Sequence, residues 1–144
     1  MFEMIFGNVE LTFAFNLLLS ILAGLAIGLE RESRGKDAGV STHSLVIMGA
    51  MLFTFISLQI EGDEARIAAQ VVTGIGFLGA GLILKDGTSV RNLTTAASLW
   101  FAAAIGMSFG AGLYIIGIFS TLVSILILRI PHLVSPEHPD REVH

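Results

Sequence analysis

The 144-residue chain is 53% hydrophobic and 14% charged, with a mean hydropathy of +0.80. A soluble domain carries about 25% charged residues, so the composition excludes an ordinary soluble fold and points to a single membrane unit. The formal net charge of −4 without a basic patch excludes a nucleic-acid surface, and the absence of cysteine excludes disulfide and thiol chemistry.

The first ten residues carry Glu3 and Glu10 and no Lys or Arg, unlike the basic start of a cleavable signal. The 19-residue run from Leu11 to Leu29 is long enough to span and is expected to be retained as helix 1. A charged stretch from Glu30 to Asp37 follows. Ser41 and Thr42 can cap helix 2, which is expected to run to about Ile60. Glu61, Asp63 and Glu64 form an acidic loop. Helix 3 is expected from Arg66 to Leu84, with a turn at Lys85-Asp86-Gly87. Asn92, Thr94 or Thr95 can cap helix 4. The apolar stretch from Leu93 to Ile130 has 38 residues, too many for one crossing of about 30 Å at 1.5 Å per residue. Gly106, Gly110 and Gly112 lie in its middle, so the spacing predicts a break between residues 108 and 112. The expectation is an all-α bundle of about five transmembrane helices over residues 1–130. A short, disordered tail over 131–144 follows, holding three prolines.

The basic residues are Arg31, Arg34, Lys36, Arg66, Lys85, Arg91, Arg129 and Arg141. With the N-terminus outside, seven of these eight fall on the cytoplasmic side, as the enrichment of cytoplasmic loops in Lys and Arg requires. Lipid offers little hydrophobic drive for helix association, so small and polar residues mark contacts. Helix 1 carries Thr12, Asn16, Ser20, Gly24 and Gly28 on one stripe. Helix 3 carries Gln70, Thr73, Gly74, Phe77 and Gly81, and helix 4 carries Ala96, Ala97, Ala103 and Ala104. Each stripe reads either as packing inside one bundle or as a polar cavity or homo-oligomer seam, with a dimer favoured. Gly74, Gly76 and Gly79 match the dinucleotide pattern GxGxxG, but no strand precedes them, so helix packing or local unwinding explains them better.

Asn16 and Gln70 are the strongest mid-segment polar residues, and no charged residue lies near the middle of any predicted helix. The charges gather at the cytoplasmic end: Glu30, Arg31, Glu32, Arg34 and Lys36, then His43, then Asp86 and Arg91. Glu30–Arg34 and Glu32–Lys36 are four apart and support a continued helix 1. The cluster reads either as a solvated helix end that fixes topology or as a site for an ion or a partner protein. Its carboxylates can hold Mg²⁺ through oxygens, though no spacing is diagnostic of a metal site. No HExxH, GxSxG or P-loop is present, which argues against an enzyme. His132, His138 and His144 are expected to be incidental.

The stretch GLAIGLERESRGKDAGVSTHSLVIMGAMLF resembles the cytoplasmic signature of MgtC/SapB-type proteins. RIAAQVVTGIGFLGAGLIL and VRNLTTAASLWFAAAIGMSFGAGLY are similar to the rest of that membrane domain, so the likeness covers about residues 20 to 115. Ser41 and Asn92 depart from the pattern, where many relatives carry Arg and Gly. The resemblance implies a multi-pass protein of the bacterial inner membrane, linked to survival in low Mg²⁺ and, in some pathogens, to virulence. It also implies action on other membrane machines, such as the F-type ATP synthase or a magnesium transporter. Longer members add a soluble C-terminal domain, and any function housed there is not expected of these residues. The leading expectation is a non-enzymatic regulator working through its cytoplasmic cluster. The alternative is a divalent-cation transporter or channel using Asn16, Gln70 and Thr73 as a path.

Overall fold

The computed structural model describes residues 8–60, 66–87 and 89–130, and of Asp86 only the backbone. The acidic loop with Glu61, Asp63 and Glu64, and the 131–144 tail, lie outside the described residues. Five helices form the body: α1 (Val9–Ser33), α2 (Val40–Ser57), α3 (Arg66–Leu82), α4 (Leu93–Gly110) and α5 (Tyr114–Arg129). Between α3 and α4 a two-stranded antiparallel hairpin pairs β1 (Leu84–Asp86) with β2 (Ser89–Arg91). The predicted turn at Lys85-Asp86-Gly87 is therefore corrected: Lys85 and Asp86 are strand residues, and Leu84 belongs to β1 rather than to the helix.

Local chemistry sets the helix ends. Asn8 caps α1, its Oδ1 accepting the Glu10 amide at 3.0 Å. The helix runs four residues past the expected Leu29 and closes with a Schellman turn. There Gly35 N–H donates to Glu32 C=O and Lys36 N–H to Arg31 C=O, at 2.9 and 3.1 Å. Gly35 takes φ +62°, which a glycine adopts without strain. The same motif ends α4, with Gly112 at φ +74° and Leu113 N–H on Ser108 C=O at 2.8 Å. The expected break near residues 108 to 112 thus falls where the chain can turn. One expected cap is corrected: Gly39, not Ser41 or Thr42, stands at the start of α2, and Glu32 Oε1 accepts the Val40 amide across the loop at 2.9 Å. Asn92 stands at the N-cap position of α4 at φ +64°, as expected, with its carbonyl accepting the Ala96 amide at 2.9 Å and no cap bond from its side chain.

Helices α1, α2 and α4 form the centre: α1 packs along α2, and α2 along α4. Helix α3 leans on α4 and α2, and α5 on α4 and α1. Ile27, Ile47, Met51, Ile105 and Phe109 fill the interior. Glycines make the close approaches. A Cβ at Gly24 would strike Ser44, and one at Gly28 would strike the Val40 backbone. On α4, Gly106 and Gly110 lie against the Ile47 and Met51 carbonyls of α2. These two glycines are packing residues inside the helix, and only Gly112 serves the break.

Long-range bonds fix which ends meet. Arg31 near the end of α1 bonds Thr95 at the start of α4, while Arg34 bonds the Arg129 carbonyl at the end of α5. Tyr114, opening α5, bonds Asn16 in the first half of α1. Successive helices therefore run antiparallel, and each of the five traverses the bundle. Three of them, Val9–Ser33, Val40–Ser57 and Leu93–Gly110, are long and apolar enough to cross a membrane, and α3 and α5 are shorter apolar helices. Large apolar side chains such as Leu22, Phe77, Ile115 and Phe119 point outward, as a lipid-facing surface requires.

Candidate functional site

The end of the bundle where α1 stops and α2 and α4 begin holds most of the expected cluster, but not as a solvated helix end. Extension of α1 to Ser33 turns Glu30 and Arg31 inward, leaving them 6% and 2% exposed. His43, one turn into α2, is fully buried. The expected cluster of charges at the helix end is therefore partly enclosed: the charges stay away from the middle of the helices, yet Glu30 and Arg31 are buried at one end.

Each buried group is held by a neighbouring element. Arg31 Nη2 donates to Thr95 Oγ1 at 2.8 Å, joining α1 to α4. Arg34 Nε pairs with Glu30 Oε1 at 2.8 Å, the expected four-residue pair. Arg34 Nη2 also donates to the Arg129 carbonyl at 3.1 Å, closing α1 onto α5. His43 Nδ1 lies 3.0 Å from the Gly39 carbonyl. A carbonyl only accepts, so Nδ1 carries the proton of the neutral ring. Its Nε2 is then an acceptor facing Ser98 Oγ at 3.2 Å, and the single Ser98 hydroxyl proton is shared between that nitrogen and the Thr95 carbonyl at 2.7 Å. At the surface, Asn92 Nδ2 donates to Asp37 Oδ2 at 2.7 Å. Thr95 and Ser98, one turn apart on α4, thus receive Arg31 from α1 and His43 from α2. In this cluster Glu30 Oε2 and Arg31 Nε have no hydrogen-bond partner among the described residues.

The remaining expected residues are placed differently. Glu32 caps α2 rather than pairing with Lys36, because α1 ends before Lys36. Lys36, Lys85 and Arg91 are exposed on the same end of the bundle. Asp86 is in β1, and its side chain lies outside the description. Sequence reasoning missed Asp37, Ser98 and the inward role of Thr95. Their signal is weak, because a Thr and a Ser three apart in an alanine-rich helix read as ordinary small residues. No three acidic or histidine side chains converge to hold a metal among the described residues.

The intramembrane stripes separate. Asn16 is 1% exposed, its Oδ1 accepting from Tyr114 Oη at 2.8 Å and its carbonyl from Ser20 Oγ at 2.8 Å. Gln70 is exposed and lines an open, apolar groove of about 520 Å³ with Gly49, Phe53 and Gly74, between α2 and α3. Thr73 is exposed as well. Gly24 and Gly28 pack inside the bundle and Gly79 lies against Ala96, whereas a Cβ at Gly74, Gly76 or Gly81 would enter open space. Asn16 and Gln70 therefore do not line one common path.

Comparison with known proteins adds a family. The model of the MgtC family matches residues 17–135. The chain is 45% identical over 130 residues to a protein of Escherichia coli named as a candidate magnesium transporter, YhiD, covering 83% of this chain and 60% of that one. It is 51% identical over 96 residues to Protein MgtC of Brucella abortus, covering 65% of this chain and 40% of the relative. It is 45% identical over 112 residues to Protein MgtC of Salmonella typhimurium, covering 77% and 48%. The chain spans about half the length of the curated relatives it matches. No solved structure matches it.

Proposed function

The chain belongs to the MgtC family, and from that premise we propose a non-enzymatic regulator in magnesium homeostasis. It resides as a multi-pass protein in the bacterial inner membrane and acts through protein contacts at its charged end. The observation that carries this reading is the distribution of polar groups. Polar groups interlock at one end through Arg31, His43, Thr95 and Ser98, while Ile27, Ile47, Met51 and Phe109 fill the middle. Such an interior serves a rigid scaffold better than a path for a hydrated cation, whose passage needs a polar lining. The exposed Lys36, Lys85 and Arg91 beside the buried cluster form the contact surface. The partner is a membrane machine such as the F-type ATP synthase or a magnesium transporter.

The test is complementation of a null strain for growth in limiting magnesium. Charge reversal at Lys36 and Arg91 touches no side-chain hydrogen bond or ion pair among the described residues and is expected to abolish rescue while membrane insertion persists. Full rescue by the doubly reversed protein would overturn the contact reading. The name of YhiD and the amide of Gln70 in its groove favour a second reading, a divalent-cation transporter. Purified protein in proteoliposomes separates the two: Mg²⁺ flux that disappears in Gln70→Leu supports transport, and silence supports the regulator.

A further inference from the structure

Helices α2 and α3 are tied at one end and part along their length. Away from the charged cluster, the Ala68 amide donates to Ser57 Oγ at 3.4 Å. Toward the charged end α3 settles on α4 instead, where a Cβ at Gly79 would lie 3.8 Å from Ala96. Between these two ties lies the open groove of about 520 Å³, floored by the buried Ala50, Ile75 and Ala103 of three different helices. Glycine ordinarily lets membrane helices approach closely. Gly49 and Gly74 line this groove, yet a Cβ at either would meet nothing within 4 Å. They keep a slot clear rather than closing a contact. Among the described residues the lining holds no charge and one polar side chain, Gln70. Its amide makes no hydrogen bond to any described residue.

We infer that the groove holds one acyl chain of a phospholipid, with the Gln70 amide donating to the ester carbonyl at the head of that chain. Its volume falls within the roughly 300–1,000 Å³ of ligand pockets, which are likewise apolar with a few placed polar groups. Length chooses the occupant. The lining runs from Leu45 to Phe53 on α2 and from Ile67 to Leu78 on α3, roughly 12 and 17 Å at 1.5 Å per residue. That is about half of the ~30 Å hydrocarbon core, the depth that the chains of one leaflet fill. A partner helix that crosses the bilayer needs a seam along the whole core, and the ties at Ser57 and Gly79 close this one short. Polarity sets the direction. Gln70 lies about one turn inside the start of α3, toward the end away from the charged cluster. The lipid therefore enters from the leaflet at that end, with its carbonyl at Gln70 and its methyl end toward Leu45 and Leu78. An amide N–H in an apolar span needs an acceptor, and the ester carbonyl is the polar group of a phospholipid that lies nearest the hydrocarbon.

The purified full chain, stripped of lipid in detergent, is titrated with phosphatidylethanolamine bearing ester-linked chains. Native mass spectrometry counts the bound lipid, a readout independent of growth rescue and of Mg²⁺ flux. The expected result is one lipid on the wild-type chain at low loading. Gly49→Leu and Gly74→Leu fill the slot, and leucine is a better helix former than glycine, so both are expected to fold and to bind several-fold less. Gly81→Leu also enters open space but lies outside the lining, and is expected to bind as the wild type does. The ether-linked analogue of the same lipid lacks the carbonyl. It is expected to bind the wild type several-fold more weakly than the ester lipid, and to bind Gln70→Leu as well as the ester lipid does. Three results would overturn the groove site: no lipid on the folded wild-type chain, undiminished binding by both filled variants, or an equal loss in Gly81→Leu. Equal binding of ester and ether lipids to the wild type would overturn the contact with Gln70.

Discussion

Arg31 is the largest of the fully buried side chains. A buried guanidinium is tolerated only where its charge is balanced and its donors are met. Glu30 beside it and Thr95 on α4 supply these in part, and Arg31 Nε remains unmet. Arg31→Met keeps much of the volume but leaves Glu30 in a buried site with Arg34 as its remaining ion partner. Breaking a buried charge cluster in this way is expected to cost about 3–5 kcal/mol, read by reversible unfolding in detergent mixtures. Thr95→Val removes the acceptor and leaves the guanidinium in place, for an expected loss of about 1–3 kcal/mol. Both changes delete the same contact, so the double variant should fall short of the summed losses. Strict additivity would show that Arg31 acts without Thr95. At this scale the sequence disclosed which residues are charged and which of them cluster. It did not disclose that Glu30 and Arg31 turn inward, because that depends on where α1 ends and on α4, 64 residues further along the chain.

Between elements, two glycine sets with similar spacing do opposite work. Gly28 of α1 lies where a Cβ would strike the Val40 backbone, and backbone cannot swing aside. Gly28→Ala is therefore expected to force α2 outward and cost about 1–3 kcal/mol. The same shift would loosen Glu32 from the Val40 amide. Gly76 of α3 has open space, so Gly76→Ala is expected to stabilise the helix by roughly 0.5–1 kcal/mol. The two melts, compared in one detergent, check the contrast, and equal effects would mean that α1 and α2 do not touch closely at Gly28. Nothing local distinguishes Gly28 from Gly76: each sits in an apolar helix with another glycine nearby, and only the facing helix decides. The break at Gly112 was more legible, since its Schellman turn is built from neighbours in sequence, whereas the end of α1 at Gly35 was expected four residues early. The hairpin was hidden because Leu84 and Val90 are apolar and continue the pattern of a membrane helix over strands of only three residues.

For the whole molecule, the number of traverses follows from which ends are bonded together. Arg31 to Thr95 and Asp37 to Asn92 place the start of α4 at the end of the bundle where α1 stops. Helix α2 carries the chain away from that end, so α3 has to bring it back. Arg34 to the Arg129 carbonyl applies the same parity to α4 and α5. The short helices thus traverse the bundle as fully as the long ones. At 17 and 16 residues they reach about 24–26 Å at 1.5 Å per residue. That is a few ångströms less than the typical hydrocarbon core, a shortfall that local thinning of the bilayer accommodates at modest cost. On the proposed multi-pass arrangement, Arg31, Arg34, Lys36, Lys85, Arg91 and Arg129 gather at the shared end, and the enrichment of cytoplasmic loops in Lys and Arg predicts that this end faces the cytoplasm. Lys36→Cys and Lys85→Cys should then react with an impermeant maleimide only when the cytoplasmic face is open. Ala111→Cys, exposed in the turn between α4 and α5, should react from outside. Lys36 and Lys85 are the decisive pair, because they flank α2 and α3 together. Labelling from opposite sides would mean that only one of these two helices crosses, and the five-pass arrangement would fail with it.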